Sequence, residues 1–263
     1  MTSSPPHPET TTAPVLLDID GATAHIVLNR PHCSNAIDME LARGFAAAVT
    51  EIGRSHQVGV VVLRAEGGNF CVGGDVTAMA AAPSTGQFIT ELASRMHAAL
   101  LELSRLSIPV VAVVQGAAAG GGLGLVLAAD LVVCTESARF VTAYSGVGLS
   151  PDCGVTYWLP RTVGVGHALQ MLTTNRVVDA ETAWEWGLVT HVVPSAELDD
   201  HMRMLITGLA RGSAEALGQA RRLVRASTTR SLAEHLDDEA ATIARLADGA
   251  DARGRITSFA AAR

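Results

Sequence analysis

The stretch VVAVVQGAAAGGGLGLVLAAD, residues 110–130, constrains the fold of this chain more than any other. Its first part, residues 109–114, carries no polar side chain. As a strand it therefore needs cover on both faces, the situation of a central parallel strand between layers of helices. Small residues follow and admit close backbone approach, and residues 123–129 leave as a short apolar helix. The amides of a helix's first turn have no intrahelical acceptor, so such a place can receive an anion or a developing negative charge. Tight strand–helix packing explains the same glycines without any ligand. A dinucleotide fingerprint does not fit, because neither Gly120, Gly122, Leu125 nor Gly122, Gly124, Leu127 completes G-x-G-x-x-G.

A second segment of the same kind, GGNFCVGGDV at residues 67–76, follows a β-branched run at 58–63. Two such turns in one sheet can place two backbone N–H groups on either side of a ligand's carbonyl oxygen, the arrangement of an oxyanion hole. Around them the pattern alternates. Residues 15–19 and 24–28 read as strands joined by an Asp-Gly turn. Residues 38–54 and 86–106 have apolar residues at helical spacing, the first opened by a possible Asp cap. Residues 131–134 form another strand. Helices at 195–211, 214–226 and 232–247 follow with no strand between them. The expected architecture is an α/β core at 14–194 with a helical region at 195–263 that leans on a neighbour or a second subunit, after a disordered Ser/Thr/Pro-rich tail at 1–13.

At 263 residues with 48% hydrophobic residues the chain can bury a large core, and its net charge of −7 argues against nucleic acid or an anionic membrane surface as partner. All 19 basic residues are arginine, which excludes a lysine Schiff base and a Walker P-loop. Cys33, Cys71, Cys134 and Cys153 form no C-x-x-C pair or metal-ligand spacing. They read as reduced thiols of a cytoplasmic protein with no metal, no secretory signal and no membrane span.

One acid stands out. In LSPDCG, residues 149–154, Asp152 interrupts an otherwise apolar or neutral stretch. Read alone, it is a cap for a helix at 153–159; the competing reading is a catalytic base.

Taken in order, IVLNRPHCSNAID, NFCVGGDV, QGAAAGGGLGLVLAAD, ARFVTAYSGVGLSPDCGVTYWLPRTVG and AETAWEWGLVTHVV resemble the crotonase (enoyl-CoA hydratase/isomerase) superfamily over nearly the whole chain. The resemblance implies a spiral of ββα turns with C-terminal helices that pack between subunits of a homotrimer or hexamer. It also implies an acyl-CoA thioester as ligand, with coenzyme A entering as part of the substrate and no other cofactor. It makes the Gly74 and Gly121 amides the oxyanion donors. It lays adenine and pantetheine along residues 33–36 and 69–73, which brings Cys33, Asn35, Ala36, Cys71 and Gly73 to the coenzyme. Phe259 falls where a family phenylalanine reaches the CoA site. In the absence of lysine, arginines such as Arg30 must meet the phosphates.

Hydratases of this family activate water with two glutamates, and those positions match Gly124 and Tyr144 here. GLSPDCGVTYWLPR instead resembles the isomerase-type branch, which includes epoxyphenylacetyl-CoA and dienoyl-CoA isomerases, where an aspartate matching Asp152 shuttles a proton. Dehalogenase-type members use an aspartate there as a nucleophile, with a histidine base that falls at His97. Beside that role stands a plainer one for His97, a hydrogen-bonded group next to its helix's core stripe, and Tyr144 reads as a pocket wall with a hydroxyl handle. The functions that follow are enoyl-CoA isomerisation through one aspartate; as alternatives, an enoyl-CoA hydratase-like lyase or dehalogenase- or hydrolase-like chemistry with Asp152 as nucleophile; and acyl-CoA binding with little catalysis.

Overall fold

A computed structural model describes residues 13–262. The N-terminal tail expectation therefore falls almost wholly outside the described residues. β1 (Val15–Asp20) and β2 (Thr23–Leu28) form an antiparallel hairpin in register from Val15–Leu28 to Asp20–Thr23. α1 (Met39–Arg54) follows, capped by Asp38, whose side chain accepts from the Leu41 N–H at 2.8 Å. Then come β3 (Val60–Ala65), α2 (Val76–Ala81), α3 (Thr85–Arg105), β4 (Val110–Val114), β5 (Ala117–Ala119) and α4 (Gly121–Leu127). The core continues through β6 (Leu131–Thr135), β7 (Arg139–Val141), α5 (Val155–Thr174), β8 (Val178–Asp179), α6 (Ala180–Glu185) and β9 (His191–Val193). It ends in α7 (Leu198–Arg211), α8 (Ala214–Ala226), α9 (Leu232–Ala247) and α10 (Ala250–Ala261).

The larger sheet runs β1-β2-β3-β4-β6-β9, parallel after its first pair, and the smaller runs β5-β7-β8. Each central strand of the first sheet hands the chain to the second and then to a helix: β4–β5–α4 and β6–β7–α5. β3 does the same through an isolated bridge from Cys71 to Ala118 before α2. These are the expected ββα turns.

The β-branched runs are covered on both faces, as their composition requires. Val110, Ala112 and Val114 join the main core with α1, α3 and α4. Val111 and Val113, with Val60, Val62 and Val133, face the other way under Met202, Leu205 and Leu209 of α7. Each such side chain stabilises the fold by about 1.5–3 kcal/mol on full burial.

α8 is fixed by Arg221, a buried guanidinium that donates to the Leu103, Ser104 and Leu106 carbonyls at the C-terminal end of α3 and to Asp130. Carbonyls at a helix's C-terminal end lack intrahelical donors, and the arginine supplies them, sharing the Leu103 carbonyl with the Leu106 N–H. Among the described residues no helix is long and apolar enough to cross a membrane.

The structure differs from expectation in three places. β5, β7, β8 and β9 are two or three residues long and too short to show a period. α2, α6 and α10 also lie outside the expected elements. Finally α5 begins at Val155 rather than Cys153 and is interrupted at Gly164.

Candidate active site

The two glycine turns meet. Gly73 has φ +91°, and a Cβ there would lie 3.0 Å from the Ala119 carbonyl oxygen and 3.2 Å from the Gly121 nitrogen. Only glycine allows both that conformation and that approach. Ile37 N–H donates to the Gly73 carbonyl at 2.7 Å, and Asp75 N–H donates to the Ile37 carbonyl at 2.9 Å, which leaves the intervening Gly74 N–H unused. Gly121 opens α4. Among the described residues neither the Gly74 nor the Gly121 amide has a hydrogen-bond acceptor. Both glycines line one cavity of about 260 Å³.

The rest of the lining is largely apolar. Ile89, Leu92, Ala93 and Met96 of α3 form one wall. Their i, i+3, i+4, i+7 spacing marks a helix face, but on sequence alone that face reads as core; Leu92 and Met96 are in fact both core and wall. Met79 closes over Gly74, with its Cε in the space a Cβ would take.

Asp152 is half-buried in this lining and does not cap α5. The residue before that helix is Gly154, with no side-chain cap; Asp152 contributes only its carbonyl, which accepts from the Val155 N–H at 3.0 Å. Its carboxylate turns the other way. Tyr144 hydroxyl donates to Oδ1 at 2.7 Å, and a Cβ on Gly121 would sit 3.9 Å from that same oxygen. Burial, followed by the charge of Asp152 beside it, pushes the Tyr144 phenol well above its ordinary value, so it stays a donor.

Gly124 and Cys153 explain how the loop comes so close. A Cβ on Gly124 would lie 2.5 Å from the Cys153 carbonyl oxygen and 2.6 Å from the Cys153 Cβ. The place matched to a hydratase glutamate is thus filled by the main chain of the loop that carries Asp152. His97 reaches the same loop from α3, where its Nε2 accepts the Cys153 N–H at 3.0 Å; the residue is exposed rather than packed in the core stripe.

Ligand atoms of His97, Asp152 and Cys153 lie within 4.8 Å of one another. They do not suit a metal ion. The His97 lone pair is engaged by an amide, and burial, then the Asp152 charge, pushes the Cys153 thiol far up and keeps it protonated.

The family model described as enoyl-CoA hydratase/isomerase matches residues 18–263. The chain belongs to this family. The 1,2-epoxyphenylacetyl-CoA isomerase of Escherichia coli is 30% identical over 254 residues, spanning 95% of this chain and 96% of that one. The 4-chlorobenzoyl coenzyme A dehalogenase-2 of an Arthrobacter species is 31% identical over 211 residues, 80% and 76% of the two chains. An enoyl-CoA hydratase structure from Mycobacterium smegmatis superposes with a TM-score of 0.89 at 30% identity, covering 95% of this chain and 97% of the other. The ββα spiral is therefore the crotonase fold, and the protein is an enzyme of the enoyl-CoA hydratase/isomerase family, whose substrates are acyl-CoA thioesters.

Within this family member the residues assigned to the coenzyme separate. Asn35 is fully buried and holds the loop together, its side chain accepting from the Arg30 N–H and donating to the Glu66 and Asn69 carbonyls. Cys71 is equally buried, with its thiol pushed up to about 12 by burial, and Ala36 is buried too. These three can meet a ligand only through their main chain. Cys33 is partly exposed. Arg30 does not reach outward: its guanidinium donates to the Ala36 carbonyl and pairs with Asp38 at 2.9 Å and Asp75 at 3.5 Å. Asp75 in turn accepts from the Thr77 and Ala78 N–H groups at the start of α2. This clamp fixes the chain on the C-terminal side of Gly74. Phe259 is exposed on α10 and does not line the cavity that holds Asp152.

Proposed function

We propose that this enzyme isomerises an enoyl-CoA by proton transfer through Asp152, with the enolate oxygen of the thioester held by the Gly74 and Gly121 N–H groups. One observation carries the reading: Asp152, bonded to Tyr144, is the only carboxylate among the described residues lining the cavity onto which both unpaired amides open. As an α or γ proton leaves, charge gathers on the thioester oxygen, and each preorganised donor there is worth about 2.7–4 kcal/mol in the transition state. One carboxylate suffices because the group that removes a proton can return it elsewhere on the chain. Hydration by two glutamates has no place for its groups, since the Cys153 main chain fills the space beside Gly124 and the other position is Tyr144.

The cavity of about 260 Å³ takes the acyl part alone; pockets for whole drug-sized ligands run to about 300–1,000 Å³. The nucleotide then lies outside, met by arginines, and no cofactor beyond the substrate's own coenzyme A takes part. The exposed apolar residues Leu232, Leu236 and Ile243 of α9 suit contact with a second copy, in a homotrimer or hexamer working in the cytoplasm; light scattering that gave a monomer would contradict this assembly.

The decisive experiment is exchange of α or γ protons of a bound enoyl-CoA in deuterated water. Asp152→Asn keeps shape but not basicity and should slow exchange about 100-fold or more, in line with general-base contributions, while saturated acyl-CoA still binds. Exchange at the parent rate rejects Asp152 as the base. A second reading, dehalogenase- or hydrolase-like attack by Asp152, draws on the Asp152 and His97 ligand atoms lying within 4.8 Å; a trapped acyl-aspartate would establish it. Tight acyl-CoA binding without turnover of any thioester would instead make the protein a binder with little catalysis.

A further inference from the structure

Asp152 is delivered to the cavity by a turn with two left-handed residues, closed by the 3.0 Å bond from the Val155 N–H to the Asp152 carbonyl. Cys153 has φ +48° and Gly154 φ +74°. For a side-chain-bearing residue the left-handed conformation costs about 1–2 kcal/mol, so something must retain it. Besides the turn's own closing bond, the contact that retains it from outside is the 3.0 Å bond from the Cys153 N–H to His97 Nε2. An amide N–H is always a donor, so Nε2 carries its lone pair and the imidazole is neutral, with its proton on Nδ1. The donating N–H belongs to the peptide joining Asp152 to Cys153. Fixing that peptide plane fixes the direction in which the Asp152 side chain leaves the backbone.

We propose that His97 is a positioning residue for Asp152, and that protonating it closes the site. The proposal rests on the reading of Asp152 as the base. An imidazolium has two N–H groups and no lone pair, so it releases the Cys153 amide. It also becomes a cation within 4.8 Å of the Asp152 carboxylate, which it then holds as an ion pair in competition with Tyr144. Of the helices packed on α3, α1 carries Glu40, Arg43, Glu51 and Arg54, and α2 has no titratable side chain. The loop brings Asp152 and the protonated Cys153 thiol, and α4 (Gly121–Leu127) has no titratable side chain. Tyr144 is bonded to Asp152, and Tyr157 and Arg161 of α5 stack on each other at 3.8 Å. Along α3 the charged residues nearest in sequence are Arg95, Glu102 and Glu91. His97 is exposed, so a solvent proton reaches it without any unfolding.

This role differs from a histidine that takes a proton from water. A base needs the Nε2 lone pair that the Cys153 amide already occupies. It also differs from a purely structural contact, because the activity must follow the charge of the ring.

The test compares His97→Gln, which keeps a neutral acceptor near the Nε2 position at every pH, with His97→Leu, which has none. Proton exchange on a bound enoyl-CoA is read between about pH 8 and pH 5, the range in which histidine side chains generally change charge. Small displacement of a catalytic group can cost about 100-fold, so His97→Leu should lose about that much in kcat. His97→Gln should recover at least about tenfold over His97→Leu, the worth of roughly one retained hydrogen bond. The parent should lose activity on the acid side through a limb that is absent from His97→Gln. The ¹⁵N shifts of His97 in the unliganded enzyme should report the Nδ1–H tautomer. His97→Gln as slow as His97→Leu, an acid limb unchanged by His97→Gln or missing from the parent, or an Nε2–H tautomer would each overturn the proposal. If His97→Leu does not fold, the Gln profile and the tautomer still decide. Should Asp152→Asn exchange at the parent rate, the isomerase reading fails instead, while the tautomer measurement stands on its own.

Discussion

Tyr144 donates its hydroxyl to Asp152 Oδ1 at 2.7 Å across eight residues of chain, and the two side chains share a wall of the cavity. Burial and the neighbouring carboxylate keep the phenol protonated, so it remains a donor, with Oδ1 at 2.7 Å as the nearer acceptor and the Asp152 carbonyl at 3.4 Å as the farther one. The bond sets the carboxylate's rotamer within a pocket that offers few other polar groups. Tyr144→Phe retains the wall and removes the donor. Hydrogen bonds to charged groups contribute about 1.5–3 kcal/mol, so proton exchange should fall about tenfold or more. Affinity for a saturated acyl-CoA, followed by calorimetry, should stay nearly constant. An unchanged exchange rate would reduce Tyr144 to a wall.

Gly124 tests the proposal that paired-glutamate hydration is not this enzyme's chemistry. Any side chain at 124 must displace the Cys153 carbonyl, 2.5 Å from its Cβ. Gly124→Ala should therefore cost about 1–3 kcal/mol by overpacking. In a chain of this size that lowers the melting temperature by about 2–4 °C per kcal/mol, measurable by calorimetry. Proton exchange should fall further than stability does, because the loop that moves carries Asp152. Gly124→Glu should not hydrate a short enoyl-CoA, since the carboxylate arrives only by pushing that loop aside. Brisk hydration by this variant would show that the loop yields freely.

What could be read from the sequence follows from where the signal is local. Val60, Val62, Val111 and Val113 announce strands because β-branched residues without polar neighbours have few other uses, and the structure covers both of their faces. β5 is Ala117–Ala119, and three alanines carry no strand signal; it exists because Cys71 and β7 pair with it. Asp152 is visible as an acid in a neutral stretch, yet its place just before a helical segment reads, on that stretch alone, as a cap. The cap fails because the left-handed Cys153 and Gly154 turn the carboxylate away from the amides that open α5, toward Tyr144. The His97–Cys153 bond spans 56 residues, and nothing local to either residue announces it. Family resemblance named candidate positions; only the fold shows which of them face the cavity and which, like Asn35 and Cys71, lie inside the loop walls.

Alkaline stability should carry the mark of three buried thiols, Cys71, Cys134 and Cys153, the last pushed up furthest. Burial raises both Cys71 and Cys134 from the ordinary 9.0 to about 12. The unfolded chain therefore loses these protons at lower pH than the folded one. Their contribution to stability is complete below about 9 and declines as pH rises from there toward 12. Each thiol can cost up to about 1.4 kcal/mol per pH unit within that window. Urea unfolding at successive pH values should show the decline, and Cys134→Ala should make it shallower even though the variant starts from a lower stability. A slope identical to the parent's would show that Cys134 ionises in the folded state as readily as in the unfolded one.

Arg30 offers a direct choice between two roles. Resemblance to the family, in a chain without lysine, makes it a partner for the coenzyme's phosphates. The structure turns its guanidinium onto the Ala36 carbonyl, Asp38 and Asp75, the last of which directly follows Gly74, the proposed oxyanion donor. Arg30→Lys separates the roles, because an ammonium serves a phosphate as a point charge but cannot reproduce the planar fork that reaches three acceptors at once. If Arg30 is a clamp, Arg30→Lys should lower kcat, by about tenfold for the loss of a charge-assisted bond. The loss should be equal for thioesters of coenzyme A and of 3′-dephospho-coenzyme A. The ratio of KM between those two substrates should match the parent's. If Arg30 binds the phosphate, kcat should hold and the KM ratio should change instead. Measuring both parameters on both substrates therefore decides whether the arginine holds the nucleotide or holds the loop that positions the Gly74 amide.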